Sequence, residues 1–196
     1  VSRLSRLRSR LLEQGIEALL ISQPVNSRYL SGFDGEGFLL ITRSQAYLFT
    51  DFRYLEQART QAEKSFELVQ IQGELSKWLP EWISELKLRE LGLEGDSFSL
   101  NAYQKLAEGL SVLESPPRLI PTSGIVESLR AIKDESEIKQ LELATSLAQA
   151  ALEQARGFLH PGLEERGVAW RVEKFLRENG SESLPFEIIV ASGPNS

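Results

Sequence analysis

The chain has 196 residues, enough for one large domain or for one domain and part of a second. Its 22 basic residues against 28 acidic ones give a net charge of −6, which argues against a nucleic-acid partner because phosphate binding needs a basic face. There is no cysteine, which excludes disulfides, zinc–thiolate sites and a cysteine nucleophile and fits a cytoplasmic location. No apolar run approaches the length of a membrane-spanning helix, so no membrane partner is expected. The sequence opens at Val1 and has no methionine, so a start residue is expected to be missing.

Leu4, Leu7 and Leu11 fall on one face of an opening helix, with arginines on the other and Gly15 as its stop. Those arginines interrupt any apolar core that a secretion signal would need. Residues 17–22 read as a buried strand. Pro24 and Asn26 open a turn that leads into a short helical piece ending at Leu30. Residues 37–42 and 45–50 form a hairpin around Arg43 and Ser44. Residues 52–63 have helical composition, and residues 67–71 read as a strand. A helix over 74–86 contains Pro80, which predicts a kink or an early break. Residues 91–94 read as a strand, and Asp96 or Ser97 is placed to cap the helix that follows. Leu119 and Ile120 close the region. The alternation predicts an α/β domain with a mixed sheet.

Pro116, Pro117, Pro121, Ser123 and Gly124 mark the best linker, and the domains divide as 1–122 and 123–196. Beyond it the pattern becomes helical. Asp134 and Glu137 have capping-box spacing, and Ile138, Leu141, Ala148, Leu152 and Ala155 form a stripe broken at Pro161 and Gly162. A second helix carries Val168, Val172, Phe175 and Leu176 and stops at Asn179 and Gly180. Residues 186–191 read as a strongly apolar strand. Two helices and one strand do not close a core, so the second domain is expected to be incomplete, and the strand to seek a partner chain or to be poorly ordered.

The residues alone show no catalytic constellation. Gly32, Gly35 and Gly37 lack the spacing of a phosphate loop, and no Ser sits in a nucleophile elbow. His160 is the single histidine and reads as part of a helix-terminal turn. Asp96 and Asp134 read as caps, and Asp51 as the N-cap of the helix holding Tyr54 and Ala58. Arg53 pairs with Asp51 locally or reaches across an interface, where its planar fork suits a carboxylate.

Four stretches carry a resemblance. Asn26, Tyr29, Leu30, Ser31, Gly32 and Phe33 resemble the N-x-x-Y-L-[ST]-G-F segment of creatinase-type N-terminal domains. Thr50, Asp51, Arg53 and Tyr54 resemble the T-D-x-R-Y segment of the same domain. Arg130, Lys133, Glu137 and Ile138 resemble the entry to the pita-bread metallopeptidase domain. Pro161, Gly162 and Glu164, with the run from Phe186 to Ser196, resemble its first helical hairpin and first strand. At Leu163 or Glu164 the family often has Thr, a departure that touches capping more than chemistry.

The resemblance to the prolidase and aminopeptidase P family implies a fold and an activity. The fold is a creatinase-type N-terminal domain, a mixed sheet flanked by helices, followed by an incomplete α+β pita-bread domain. The activity is metal-dependent hydrolysis of the bond before proline in short proline-containing peptides, by a homodimer. Two divalent metal ions (Mn, Co or Zn) are implied in the intact parent, held by Asp, His and Glu residues that follow the stretch ending at Ser196. None is expected on this chain, where no Asp pair has the family's spacing. This chain therefore supplies no catalytic residue, and alone it is expected neither to bind two metals tightly nor to cleave Xaa-Pro peptides.

The resemblance also implies that Asp34 and Glu36 bind a peptide amino terminus, against the plainer reading of a surface turn. Phe186 either lines the substrate pocket or belongs to the core. A creatinase-like metal-free hydrolase and a non-catalytic binding module are the competing readings on the same fold.

Overall fold

A computed structural model describes residues 2–196, which divide after Ile132 into two compact units, residues 2–132 and 133–196.

The first unit is built on a six-stranded sheet of order β4-β3-β2-β1-β5-β6. Its strands are β1 (Ala18–Ile21), β2 (Phe38–Thr42), β3 (Ala46–Thr50), β4 (Glu67–Gln70), β5 (Glu90–Glu94) and β6 (Arg118–Thr122). The helices between them are α1 (Arg3–Glu13), α2 (Pro24–Ser31), α3 (Leu55–Gln61), α4 (Leu75–Glu85), α5 (Leu100–Leu110) and α6 (Ile125–Ala131). β1, β2 and β3 pair antiparallel, whereas β1 with β5, β3 with β4 and β5 with β6 run parallel. The sheet is thus mixed. The hairpin between β2 and β3 turns where expected, with Thr42 Oγ1 accepting the Gln45 N–H at 2.9 Å.

Helices cover both faces, so the central strands read as continuous apolar runs. Period-two alternation sends Leu19, Ile21, Leu39, Ile41 and Leu48 to one face, where Leu4, Leu7 and Leu11 of α1 and Ile125, Val126 and Leu129 of α6 meet them. Ala18, Leu20, Leu40, Tyr47 and Phe49 point to the other face, toward Leu79 and Ile83 of α4 and Leu106 and Leu110 of α5. Phe49 is fully buried there, with its ring 4.7 Å from Trp78 and 5.1 Å from Trp82.

Several expectations need correction. α4 runs unbroken through Pro80. Proline at 80 supplies no N–H to the Ser76 carbonyl one turn back. That carbonyl instead faces α5, where a Cβ on Gly109 would lie 2.3 Å from it. Glycine at 109 is what lets the two helices come together over the freed oxygen. The cap of α5 is Ser99, whose hydroxyl accepts the Ala102 N–H at 3.1 Å, not Asp96 or Ser97. The proline-rich stretch holds an edge strand, β6, where Pro121 is tolerated because an edge needs fewer donors. The division falls after Ile132, not after residue 122, because α6 shares the core of α1.

The second unit contains α7 (Glu135–Phe158) and α8 (Glu165–Glu178). Asp134 and Glu137 form the expected capping box on α7, with Asp134 Oδ1 accepting the Glu137 N–H at 3.0 Å and Glu137 Oε2 accepting the Asp134 N–H at 2.9 Å. Residues 186–191 are not a strand among the described residues. A strand is defined by ladder hydrogen bonds, and none of the six ladder strands lies in this unit. No helix among the described residues is long and apolar enough to cross a membrane.

Candidate functional site

α2 stops at Gly32, and the chain crosses residues 33–37 before entering β2. At Gly35 an added Cβ would lie 2.4 Å from the Phe33 ring and 2.9 Å from the Tyr54 ring, so only glycine lets the loop fold over both aromatics. The loop is tied down from β3, where Thr50 Oγ1 donates to the Glu36 carbonyl at 2.6 Å. This brings Asp34 and Glu36 next to the turn that leaves β3.

Asp51 organises that turn. Its Oδ1 accepts the Arg53 N–H at 2.8 Å, and its Oδ2 accepts from Arg53 Nε at 2.9 Å and from an Arg53 terminal nitrogen at 2.6 Å. The hydrogen bond from Arg53 lowers the Asp51 pKa below its ordinary value, and the same contact raises that of Arg53. Asp51 is therefore not the N-cap of α3, whose cap residue is Tyr54 with no side-chain hydrogen bond. It closes a local loop one turn earlier. Arg53 also reaches Glu36 at 3.1 Å and lies over the Tyr54 ring at 5.2 Å. Asp34 Oδ1 accepts from Gln57 Nε2 of α3 at 2.6 Å.

Asp34, Glu36 and Arg53 thus share one exposed rim with Asp51 and Gln57. A carboxylate has acceptor capacity beyond one partner, so Asp34 and Glu36 retain the chemistry to take an ammonium group. Phe186 lies in the other unit and is 72% exposed.

A second constellation was not foreseen. β1 and β5 are parallel neighbours, and their following helices leave to opposite faces of the sheet, α2 to one and α5 to the other. A crevice at such a switch point is the usual place for a ligand in an open α/β sheet. Here the carboxylate of Glu94, 8% exposed, fills it. Glu94 Oε2 accepts the Ser22 and Gln23 N–H groups at 2.6 and 2.7 Å, at the N-terminus of α2. Glu94 Oε1 accepts from Asn26 Nδ2 at 2.7 Å, and that nitrogen also lies 2.6 Å from Glu127 Oε1. Arg130 completes the network by donating to Asn26 Oδ1 at 2.9 Å.

Asn26 and Arg130, from two of the quoted sequence stretches, are therefore structural partners of each other. The signal that could have revealed Glu94 is a carboxylate at the C-terminal end of a strand whose preceding three residues, Leu91, Gly92 and Leu93, are uncharged and buried. Tyr29 has a similar role, with its hydroxyl donating to the Leu129 carbonyl at 3.3 Å and Arg3 lying 4.3 Å from its ring centre.

An open cleft of ≈ 540 Å³ lies at the N-termini of α4 and α5. Its polar groups are already engaged: the Ser22 and Ser97 hydroxyls meet at 2.6 Å, and Lys105 pairs with Glu74 at 3.6 Å. His160 Nδ1 lies 2.9 Å from the Pro161 carbonyl in an exposed turn. No group of three or more His, Cys, Asp or Glu side chains among the described residues is placed to hold a metal ion. The donor set that a metallopeptidase centre requires is thus not assembled by the described residues.

In the second unit the carboxylate of Glu165, at the start of α8, accepts from the Ser192 N–H at 2.7 Å and from the Ser192 hydroxyl at 3.0 Å. Both its oxygens lie 3.2 Å from Asn195 Nδ2. These bonds, led by that of the Ser192 N–H, lower its pKa.

A doubly covered mixed sheet with a glycine-bearing loop over β3, followed by a helical pair, defines a two-part architecture of the creatinase type. The chain belongs to the creatinase/prolidase family: residues 3–132 match the Creatinase/Prolidase N-terminal domain, and residues 139–196 match Metallopeptidase family M24. It is 36% identical to the uncharacterized peptidase YqhT of Bacillus subtilis (strain 168) over 99% of this chain and 54% of that protein. It is 30% identical to the Xaa-Pro dipeptidase of Pyrococcus furiosus over 99% of this chain and 53% of that protein. The solved Xaa-Pro dipeptidase from Bacillus anthracis superposes with a TM-score of 0.85 at 38% identity, covering 92% of this chain and 50% of that one. The chain spans about half the length of the curated relatives it matches.

Proposed function

We propose that this chain serves in a metal-dependent Xaa-Pro peptidase, an enzyme that hydrolyses the peptide bond before proline in short peptides. The carrying observation is the succession of a Creatinase/Prolidase N-terminal domain over residues 3–132 and a Metallopeptidase family M24 segment over residues 139–196, in a chain that aligns over 99% of its length with an Xaa-Pro dipeptidase. Divalent manganese, cobalt or zinc serves the intact enzyme, at a centre built from residues other than those described here. The enzyme works in the cytoplasm as a homodimer, with Arg53 at or near the subunit contact.

Asp34 and Glu36 bind the peptide's amino terminus, and Phe186 borders the substrate. The clustering of both carboxylates on one rim, steadied by Arg53 and Gln57, supports the first assignment.

The test is hydrolysis of an Xaa-Pro dipeptide series by the full-length protein before and after metal stripping. Turnover that disappears with the metal and returns with manganese or cobalt is expected. Turnover that survives stripping points instead to a metal-free hydrolase, and peptide binding without turnover to a binding module. The 196-residue chain by itself is expected to show no turnover. Metal-dependent Xaa-Pro cleavage by that chain would refute placing the chemistry elsewhere.

A further inference from the structure

α2 has eight residues and α6 seven, short of the ~12 to 15 that an isolated helix needs to persist in water. Neither has a side-chain cap at its start, where Gln23 and Gly124 make no capping hydrogen bond. Each helix therefore depends on what it docks against. The strands beneath are better held, since β1, β2 and β3 each have a hydrogen-bonded neighbour on both sides.

The two helices dock on each other as well as on the sheet. Tyr29 and Leu30 of α2 share one apolar cluster with Ile125, Val126 and Leu129 of α6, and the Tyr29 hydroxyl donates to the Leu129 carbonyl at 3.3 Å. The remaining polar bonds between them converge on Asn26, which is fully buried. Its Oδ1 accepts from Arg130 at 2.9 Å. Its Nδ2 lies 2.8 Å from Gln23 Oε1, 2.7 Å from Glu94 Oε1 and 2.6 Å from Glu127 Oε1. An amide nitrogen has two hydrogens, so three acceptors compete for them. Any one acceptor can be spared; the donor cannot. At its other end α2 stops at Gly32 and leads into the loop that carries Asp34 and Glu36.

We propose that α2 and α6 form one latch with Asn26 as its pin: the two helices leave the sheet and return to it together, in a single opening that costs less than global unfolding. The helix that leads into the Asp34–Glu36 loop thereby shares its hold on the sheet with the last helix of the first unit. The latch rests on contacts within residues 2–132 and not on the peptidase reading.

Native-state hydrogen exchange of this chain, followed by NMR in rising sub-denaturing urea, is the test. The Ser27 amide, bonded to the Gln23 carbonyl within α2, and the Leu129 amide within α6 are expected to share one opening free energy and one urea dependence. Both values are expected to be smaller than those of the β2 amides, because a partial opening exposes less surface. Different values for the two helices overturn the latch, and so do values equal to those of β2.

A substitution confined to α6 tests the coupling directly. Ser128 is exposed and its hydroxyl bonds only to the Ile125 carbonyl of its own helix. Ser128→Gly weakens α6 by helix propensity alone and is expected to lower Leu129 protection about two- to fivefold. In a latch the Ser27 amide loses protection by the same factor; an unchanged Ser27 amide overturns it. In Asn26→Ala the two openings are expected to separate. Arg130→Ala, which removes only the Oδ1 contact, is expected to separate them less and serves if Asn26→Ala does not fold. Openings that stay identical in every folded variant of the two overturn the role of Asn26.

Discussion

Phe49 in β3 and Leu152 in α7 are both large apolar residues on regular elements, yet the first is fully buried and the second is 64% exposed. The contrast extends to the units that hold them. In residues 1–132 every central strand is covered on both faces, and two helical layers contribute to two separate clusters. In residues 133–196 the 24-residue α7 buries only Ala151 and Ala155, while Ile138, Leu141, Leu143 and Leu152 stay exposed. A sheet with both faces covered closes its own core; a helix pair buries only one stripe of each helix. Among the described residues, the buried apolar clusters therefore lie in the first unit.

The largest effect that would break this contrast is on the core. Phe49→Ala removes a ring packed against Trp78 and Trp82, and it is expected to cost about 3–5 kcal/mol. Leu152→Ala is expected to change stability by no more than about 0.5 kcal/mol. The measurement is the urea midpoint of this chain, monitored by tryptophan fluorescence at constant m. Similar midpoint shifts for the two variants would show that the second unit buries more than the structure indicates.

The next effect sharpens the contrast by comparing two carboxylates with the same task. Glu94 and Glu165 each accept backbone N–H groups and an Asn amide, one at a buried switch point and the other at a partly exposed turn. Glu94→Ala leaves the Ser22 and Gln23 donors without their acceptor, while the Asn26 amide keeps Glu127 and Gln23 as partners. A loss of about 3 kcal/mol is expected, since each buried unmet group costs about 1–3 kcal/mol and water can reach some of them. Glu94→Gln retains one oxygen and should lose less. A Glu94→Ala protein as stable as the parent would mean that water replaces the carboxylate, and that the crevice is open rather than filled.

Much of the first unit could be read from residue order, because alternation and hairpin signals are local. Leu4, Leu7 and Leu11 on α1, the hairpin at Arg43 and Ser44, and the Asp134–Glu137 box all depend on neighbours within a turn or two. What escaped depends on distant partners. The Glu94 network joins residues 68 or more positions apart in sequence. Pro80 keeps its helix because a glycine nearly thirty residues later makes room for the freed carbonyl. Residues 186–191 have a strand's composition, yet composition cannot supply the neighbouring ladder that makes a strand. The rim is half legible: sequence puts Asp34 beside Glu36 and offers Asp51 as a partner for Arg53, whereas the reach of Arg53 to Glu36 and of Gln57 to Asp34 depends on how the loop folds back toward β3.

The smallest expected effect lies on that rim, where the first unit resembles the second in being exposed. Asp51 is held below the ordinary Asp value of 3.8, chiefly by the Arg53 hydrogen bond. A carboxylate with a depressed folded-state pKa stabilises the fold fully above its unfolded value, and loses that contribution as pH falls through the folded value. The contribution is therefore fully present at neutral pH, and its loss falls in acid, from the ordinary Asp value downward. Arg53→Ala is expected to return the Asp51 titration toward 3.8 while shifting the neutral-pH urea midpoint very little, as for other exposed ion pairs. Carbon-detected NMR of the Asp51 carboxylate gives the pKa directly in both proteins. An Asp51 that titrates at its ordinary value in the unsubstituted chain would mean that the Arg53 fork is not populated in solution. Arg53 would then be free for a contact of its own, and the rim would be a looser surface than the buried Glu94 network beside which it stands in this comparison.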